Sequence, residues 1–556
     1  MKKLRSILCI LLVAVMLIST VGCGSGTTSP TNGVSEGEGG DTPSNSGTGG
    51  KATASLDDYV SYTVGLSSWM GRFIQGLSPI ECVPACDAVY DAILKPDPGT
   101  GKMMSACLEE WYYEDDLTFI MKLKDNVYFS NGMHATAEDL LYSYTSIVDR
   151  GSSQITRIGP VDWEECKVLD EYTIQMKFTQ PYRVFETMIM YLLCKEWSLS
   201  LADGWEDMAW YTPVGSGPYE CVEYKSDDKI VLKARDDYWN IEETGPIYVD
   251  EWVLKYFSEP TTMYMELEVG NIIMCYVPES DYSRYVTNGS SEEGYACFLD
   301  VNGSTLYWCF SFTDFTEWED KRLREAVALG INWEELGFLA YRDAYIPAES
   351  ILPQSSPYFI NPGKYEYNPD RARELLAEAG YGPDNPLQIA SSISEEQQYR
   401  SLMENTQHQL AQIGIEVKYE IRDGATNLAV WRTGGRGVTD FQFHYAAAGS
   451  PTRDAFDIMP GSLRETGTTY YRVPDPGFRE LWAGMVYETD PEVYGPKIKE
   501  LQQYNFDEII YIPITEYAVP CGYNTDVLSI DQILNYTYGR NYYQVGRLGF
   551  LSAWEQ

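Results

Sequence analysis

Side chains able to do covalent or metal chemistry are few in this sequence and poorly spaced for it. Three histidines occur, His134, His408 and His444, and none stands at ligand spacing from a cysteine. No metal site is expected. Of the 12 cysteines, Cys9 and Cys23 lie near the N-terminus, and the rest are scattered apart from Cys82-x3-Cys86. Cys221, Cys275 and Cys309 sit inside apolar runs. The scatter reads as free buried thiols, with a Cys82–Cys86 link as the alternative that an exported chain permits. No P-loop, no H-E-x-x-H and no G-x-S-x-G outside chance overlap is present. Paired carboxylates abound because the whole chain is acidic, so they carry no catalytic signal. The sequence therefore predicts no enzyme, no catalytic residue and no cofactor. It does offer aromatic surface: tyrosine alone numbers 44, and aromatics make up 14% of the chain. Most of these rings belong to core or surface. A minority suits a ligand cleft, where a rigid ring gives contact area at small entropic cost.

One cysteine has chemistry of another kind. Lys2, Lys3 and Arg5 precede an unbroken apolar run, Ile7–Ile18, followed by small residues and Cys23. That is a secretory signal, too short for a confident membrane span. Thr20-Val21-Gly22-Cys23 looks like a bacterial lipobox, with Thr20 where Leu is usual. In this reading residues 1–22 are removed and Cys23 carries the lipid. Cleavage elsewhere would instead give a freely secreted protein. Residues 24–50 are rich in Gly, Ser and Thr without apolar periodicity, so 23–55 is expected to be a lipidated cysteine and a flexible tether. Such a tether spans roughly 30 Å root-mean-square.

Charge narrows the partners. The formal net charge is −41, and loss of the signal removes three cations and no acids. This argues against nucleic acid and against docking on an anionic bilayer, leaving the lipid as the only membrane contact. No second apolar segment reaches spanning length. The remaining 500 or so residues are enough for two or three domains.

The elements that would position a binding site are legible in places. In Cys107–Tyr144, Leu117, Phe119, Met121 and Leu123 alternate like one face of a strand. Asn131-Gly132 marks a turn, Thr136 with Asp139 forms a capping box, and Leu140, Tyr144, Ile147 and Val148 follow at helical spacing. Asp170–Thr173 leads into alternating Ile174, Met176 and Phe178. In Thr212–Tyr219, Gly215 and Gly217 permit unusual backbone angles and Pro218 stiffens the loop. A hairpin is expected over Tyr219–Arg235, then Asp237-Tyr238-Trp239, and a helix within Glu259–Gly270. Leu323, Ala326 and Val327 stripe a helix in Asp320–Leu329. Asn368 at N-cap, Pro369 at N1 and Gly380 at C′ bound another. Strand Leu387–Ser391, a helix with Leu402, Thr406, Leu410 and Ile413, the breaker Gly414 and alternating Ile415–Ile421 predict a βαβ unit. Asp490-Pro491 opens a further helix, and Ile510–Ile514 reads as a strand. Asp57–Leu66 should be the first strand.

The order of these features resembles the extracytoplasmic solute-binding proteins of family 5, the peptide/nickel type, which are receptors of ABC importers. The matches run from about residue 56 to about 520. Val89–Leu94 with Asp97-Pro98-Gly99 looks like that family's early helix and turn. The resemblance implies an α/β fold of the periplasmic-binding-protein type II class, peptide-binding cluster, with two lobes and an extra N-terminal subdomain. Lobe I would take 56–305, including the subdomain at about 100–205, with 515–556 returning to it. Lobe II would take 306–514. A peptide or other small solute would lie between the lobes of a monomer. The closed form would dock on an ABC permease driven by a separate ATPase, outside the cell membrane. An oligosaccharide receptor and a peptide sensor share the architecture and stay open as alternatives.

Loop position suggests ligand contacts: Trp69 and Met70 after the first strand, and Gly215, Ser216 and Tyr219 in the PVGSGPY loop. Trp308 lies near the crossover, and Tyr445 and Arg453 belong to the lobe II loop. Peptide binders of the family often carry an acid for the peptide ammonium group in that loop, where this chain has Gly449. The nearby arginine has no clean equivalent, and Arg432 or Arg436 stands closest. Ser311 replaces the usual Asn in the strand that opens lobe II. These departures question strict recognition of a free amine.

Overall fold

The computed structural model describes residues 59–66, 72–74, 83–96, 103–149, 158–247, 249–277, 281–288, 293–312, 315–423, 426–427, 441–449 and 475–528. The predicted signal, Cys23, the tether and residues 529–556 lie outside them, as does Cys82.

A nine-stranded sheet organises the described chain. Its main strands are β1 (Ser61–Leu66), β2 (Tyr219–Lys225), β3 (Lys229–Ala234), β4 (Glu251–Tyr256), β5 (Met274–Tyr276), β6 (Tyr295–Phe310), β7 (Phe443–Gly449) and β8 (Tyr511–Asn524). The order is β7-β6-β8-β5-β1-β4-β3-β2, with Ile346–Pro347 adding a short strand to β8. β1 is parallel to β4 and β5; β6 and β8 are antiparallel over almost their whole lengths. The first strand thus begins at Ser61, later than Asp57. The return strand continues well past Ile514, because each residue from Thr515 to Asn524 finds a partner on β6, β5 or the Ile346–Pro347 strand.

Local sequence explains the flanking elements. Strand Thr118–Leu123 pairs on one side with Leu108–Asp115 and on the other with Thr173–Lys177. Its inward residues Phe119, Met121 and Leu123 meet Leu140, Tyr144 and Ile147 of helix Ala137–Asp149, all at most 1% exposed. One half of the predicted capping box forms: the Thr136 backbone N–H and hydroxyl both donate to Asp139 Oδ2, at 2.9 and 3.1 Å, while Asp139 N–H donates to Thr136 O in place of the hydroxyl. The predicted βαβ unit also forms, with Leu387–Ser394 parallel to Ile415–Arg422. Helix Gln397–Ile413 buries Leu402, Met403, Thr406 and Leu410, and Gly414 ends it at φ 92°. Asn368 Oδ1 accepts from Arg371 N–H at 3.0 Å, capping helix Pro369–Glu378.

One expectation fails. Val89–Leu94 is not a helix: the helix is Val83–Val89, and Ala92–Pro96 is a strand. Short apolar runs have no decisive period. Here Ala92 and Leu94 pair with Tyr191 and Met190, and that tertiary pairing decides.

A buried arginine fixes the entry to β8. Arg324, from the predicted Asp320–Leu329 helix, is 5% exposed. It donates to Glu508 O at 2.7 Å and Ile509 O at 3.1 Å, and also to Trp318 O. It thereby satisfies carbonyls at the C-terminus of helix Pro491–Glu508, where a cation also suits the helix dipole. Ile509 then turns the chain at φ 54°, an unusual angle for a β-branched residue. Arg324→Ala should cost about 2–4 kcal/mol by stranding these carbonyls, and Arg324→Lys less. Denaturant midpoints of the variants check this.

Candidate functional site

The long pair β6 and β8 runs through both halves of the sheet. At one end β8 pairs with β5; at the other β6 pairs with β7. The ladder breaks twice between these ends. Register jumps between Val301 and Ser304, at Asn302-Gly303, where Gly303 has φ 71°. It jumps again as Leu306 faces Thr515 and Tyr307 faces Pro513. Missing ladder bonds and added twist make bulges the natural place for two paired strands to bend. The two halves of the sheet are therefore joined across these two bulges.

On the β1 side, the PVGSGPY loop is held by a buried polar clamp. Asp91, fully buried, accepts from Tyr238 hydroxyl at 3.1 Å and Trp239 Nε1 at 2.9 Å, while its own backbone N–H donates to Ser216 Oγ at 2.9 Å. Arg235, 6% exposed, donates from Nη1 to Gly217 O at 2.9 Å. Gly217 N–H donates to Val89 O at 2.8 Å. Ser130 closes the loop from the other side: its N–H donates to Gly215 O at 2.8 Å, and its Oγ accepts from Gly215 N–H at 3.3 Å. The glycines are needed for proximity. A Cβ on Gly215 would lie 2.0 Å from Val89 O, and one on Gly217 would lie 2.5 Å from Ala88 O.

On the β7 side the rings form a platform. Trp308 stacks on Phe443 with centroids 3.9 Å apart and planes 7° apart, and Tyr445 meets Trp308 edge-on at 5.8 Å. Tyr445 hydroxyl bonds Thr406, and burial raises its pKa. Trp308 Nε1 and Ser391 Oγ are buried without a hydrogen-bond partner among the described residues. Ser392 Oγ donates to Asn427 Oδ1 at 2.5 Å.

The predicted contact residues divide three ways. Trp69, Met70, Arg432, Arg436 and Arg453 lie outside the described residues. Gly215, Ser216 and Tyr219 belong to the clamp region. Tyr219 is 3% exposed and its hydroxyl donates to Val249 O at 2.9 Å. Trp308 and Tyr445 sit in the β7-side core, at 0% and 9% exposure. Gly449 pairs with Ser304 beside the first bulge, and Ser311 N–H donates to Gln442 O at 2.9 Å. Asp91 and Arg235 belong to no motif of the sequence, although Asp91 interrupts the apolar run Val89–Leu94, which is the signal of a paired buried charge.

A cavity of about 420 Å³ reaches the second bulge at Pro513 and Ile514. Residues such as Trp333, Tyr345, Lys364, Phe506 and Ile514 line it. Burial and the Glu334 carboxylate push the Tyr345 phenol up to about 12. Among the described residues no group of three or more His, Cys, Asp or Glu side chains could hold a metal ion. None of the described helices is long and apolar enough to cross a membrane.

Comparison with known proteins gives concordant likenesses. The model of the bacterial extracellular solute-binding proteins, family 5 Middle, matches residues 102–461. The glutathione-binding protein GsiB of Pectobacterium atrosepticum is 24% identical over 348 residues, covering 61% of this chain and 65% of that protein. Two solved structures superpose on most of the chain. The periplasmic binding protein DppA of Helicobacter pylori, in complex with peptide STSA, has a TM-score of 0.72 at 18% identity, covering 88% of this chain and 97% of its own. NikA of Brucella suis, in complex with Fe(III)-EDTA, has a TM-score of 0.73 at 18% identity, covering 88% and 99%. These likenesses show the fold: a two-lobed α/β binding protein of the peptide-binding cluster.

Two outcomes follow from this geometry. Gly217→Ala must push helix Val83–Val89 away from the loop and should cost about 1–3 kcal/mol, measured by denaturant unfolding. His444, on β7 opposite Cys309, is fully buried, and burial pushes its pKa down to about 3. Below about pH 6.5 the unfolded chain takes up a proton that the folded chain refuses. Stability should thus fall as pH drops from about 6.5, by up to about 1.4 kcal/mol per unit. Between pH 6.5 and 5 that slope should be lost in His444→Gln, read from unfolding midpoints.

Proposed function

This chain belongs to family 5 of the bacterial extracellular solute-binding proteins, and from that membership we propose that it is the peptide receptor of an ABC importer. The observation that carries the reading is the doubly bulged strand pair. A division into lobe I (56–305 with 515–556) and lobe II (306–514) cuts β6 and β8 beside their two register breaks, where bending is easiest. The receptor captures oligopeptides or dipeptides in the gap. Contacts that exist only when both lobes meet the ligand stabilise the closed form. That form delivers the ligand to a membrane permease, and a separate ATPase supplies the work.

The extracytoplasmic location accords with the family, and Cys23 supplies the lipid anchor in this reading. The tether keeps the folded part near the membrane while leaving it free to turn.

Recognition does not rest on an acid at position 449. Gly449 offers only backbone there, so the peptide is held mainly through its main chain and by aromatic contact. The same lack of a fixed counter-charge favours a second reading, a neutral solute such as an oligosaccharide stacking on rings.

Native mass spectrometry on residues 51–556 separates the two. The peptide reading expects co-purified peptides released on denaturation, and synthetic peptides of that length should raise the melting temperature, since a ligand of the native state alone must stabilise it. A protein that purifies empty and is stabilised only by oligosaccharides would overturn it.

A further inference from the structure

The extra subdomain makes a contact that its place in lobe I does not call for. Through Ser130 and Gly215 it is bonded in both directions to the PVGSGPY loop of lobe I. Yet its turn Arg183–Thr187 packs on two helices of lobe II, Pro476–Val486 and Pro491–Glu508. Arg183 is 7% exposed and donates from Nε to Met485 O at 2.6 Å, at the C-terminal end of the first helix. Its guanidinium lies over the Tyr494 ring of the second, 4.3 Å from the centroid. Tyr182 meets Tyr487 at 6.3 Å, and Thr489 hydroxyl donates to Asp116 Oδ1 at 3.4 Å. Phe178, Val184 and Phe185 share one buried cluster with Phe478, Trp482, Met485 and Val486.

We propose that the Arg183 seat is a closure latch between the extra subdomain and lobe II, a reading that rests on the two-lobe division above. The argument is mechanical. β6 and β8 bend at their bulges. The subdomain cannot follow lobe II, because Ser130 is bonded to Gly215 and Met190–Tyr191 pair with Ala92 and Leu94 of lobe I. Opening must therefore draw Arg183 away from Met485 O and from Tyr494. The guanidinium suits such a seat: it stays charged, favours the negative end of a helix dipole and stacks on a ring. It biases the empty receptor toward the closed form and so tunes apparent affinity without touching ligand, because only the competent fraction binds.

The test uses the mature chain without ligand, by small-angle scattering and amide hydrogen exchange. Arg183→Met keeps the volume and removes the charged donor. It should shift the open-to-closed ratio roughly 10- to 100-fold toward open, the size expected for one charged hydrogen bond. The signs are a larger radius of gyration and faster exchange in residues 476–494, with exchange in the βαβ unit 387–422 unchanged. Thr489→Asp leaves Arg183 in place but sets a second carboxylate against Asp116, and should open the molecule in the same sense. It decides the matter should Arg183→Met fail to fold. Two results would overturn the latch. One is an unchanged radius and exchange in both folded variants. The other is a lowered melting temperature with wild-type scattering below it, which marks the contact as merely structural. Since no ligand is added, failure of the peptide reading leaves this test intact.

Discussion

The antiparallel pairing of β6 with β8 is the constraint on which everything else depends. It is the longest ladder in the described sheet, from Tyr295 opposite Asn524 to Cys309 opposite Tyr511. The strands of the first half attach to its one end through β5, and β7 attaches at the other. Several side chains are committed to setting its register. Asn505 exchanges two hydrogen bonds with the Tyr511 backbone, at 2.9 and 3.0 Å, just where β8 begins. Arg324 holds the helix end immediately before it. Further along, Gly522 leaves room for Leu267, whose Cδ2 would lie 2.5 Å from an added Cβ. A one-residue slip would turn each side chain of β8 to the wrong face, so register this long must be pinned at its start.

A second constraint explains why the sequence motifs look as they do. A buried carboxylate or guanidinium is tolerated only with partners. Asp91 and Arg235 have them, and the partners are the residues that make the motifs recognisable: Ser216, Gly217, Tyr238 and Trp239. PVGSGPY and the Asp-Tyr-Trp that follows it are two sides of one clamp. Ser130, from the Phe129–Gly132 turn, ties in the third. These motifs are distant in sequence because they meet in space. Their glycines are small because helix Val83–Val89 lies against them, which makes geometry, more than ligand contact, the reason for Gly215 and Gly217.

This also decides how much the sequence could reveal. Elements fixed by local chemistry were legible: the Thr136–Asp139 box, the Asn368 cap with Gly380 beyond the helix end, and the βαβ unit with Gly414 as its stop. Elements fixed by distant partners were not. Val89–Leu94 carries no period that separates helix from strand: Val89 ends a helix, and Ala92–Pro96 becomes a strand against Met190–Tyr191 and Met103–Met104. The bulge at Asn302-Gly303 depends on how β6 fits β8. The candidate site was the least legible part. A tryptophan near a crossover looks the same in sequence whether its ring faces a ligand or stacks on Phe443. Trp308 does the latter, because the face of β6 that carries it is shared with Leu306, Phe310 and the helices above them.

The hinge and the clamp together constrain how binding energy can be used. In the proposed two-lobe reading, a strand pair that bends at its bulges offers little resistance, so contacts far from it set the balance between open and closed. That balance amounts to a few kcal/mol in proteins of this kind. In that reading the Ser130 bonds tie the subdomain to one lobe, so those contacts lie at its outer edge as well as at the ligand. A chain with a glycine at position 449 gains no buried ion pair there on closing. On the proposed peptide reading it draws on main-chain and ring contacts, which differ little from one peptide to another. Selectivity by length and shape, more than by terminal charge, is what such a site would provide.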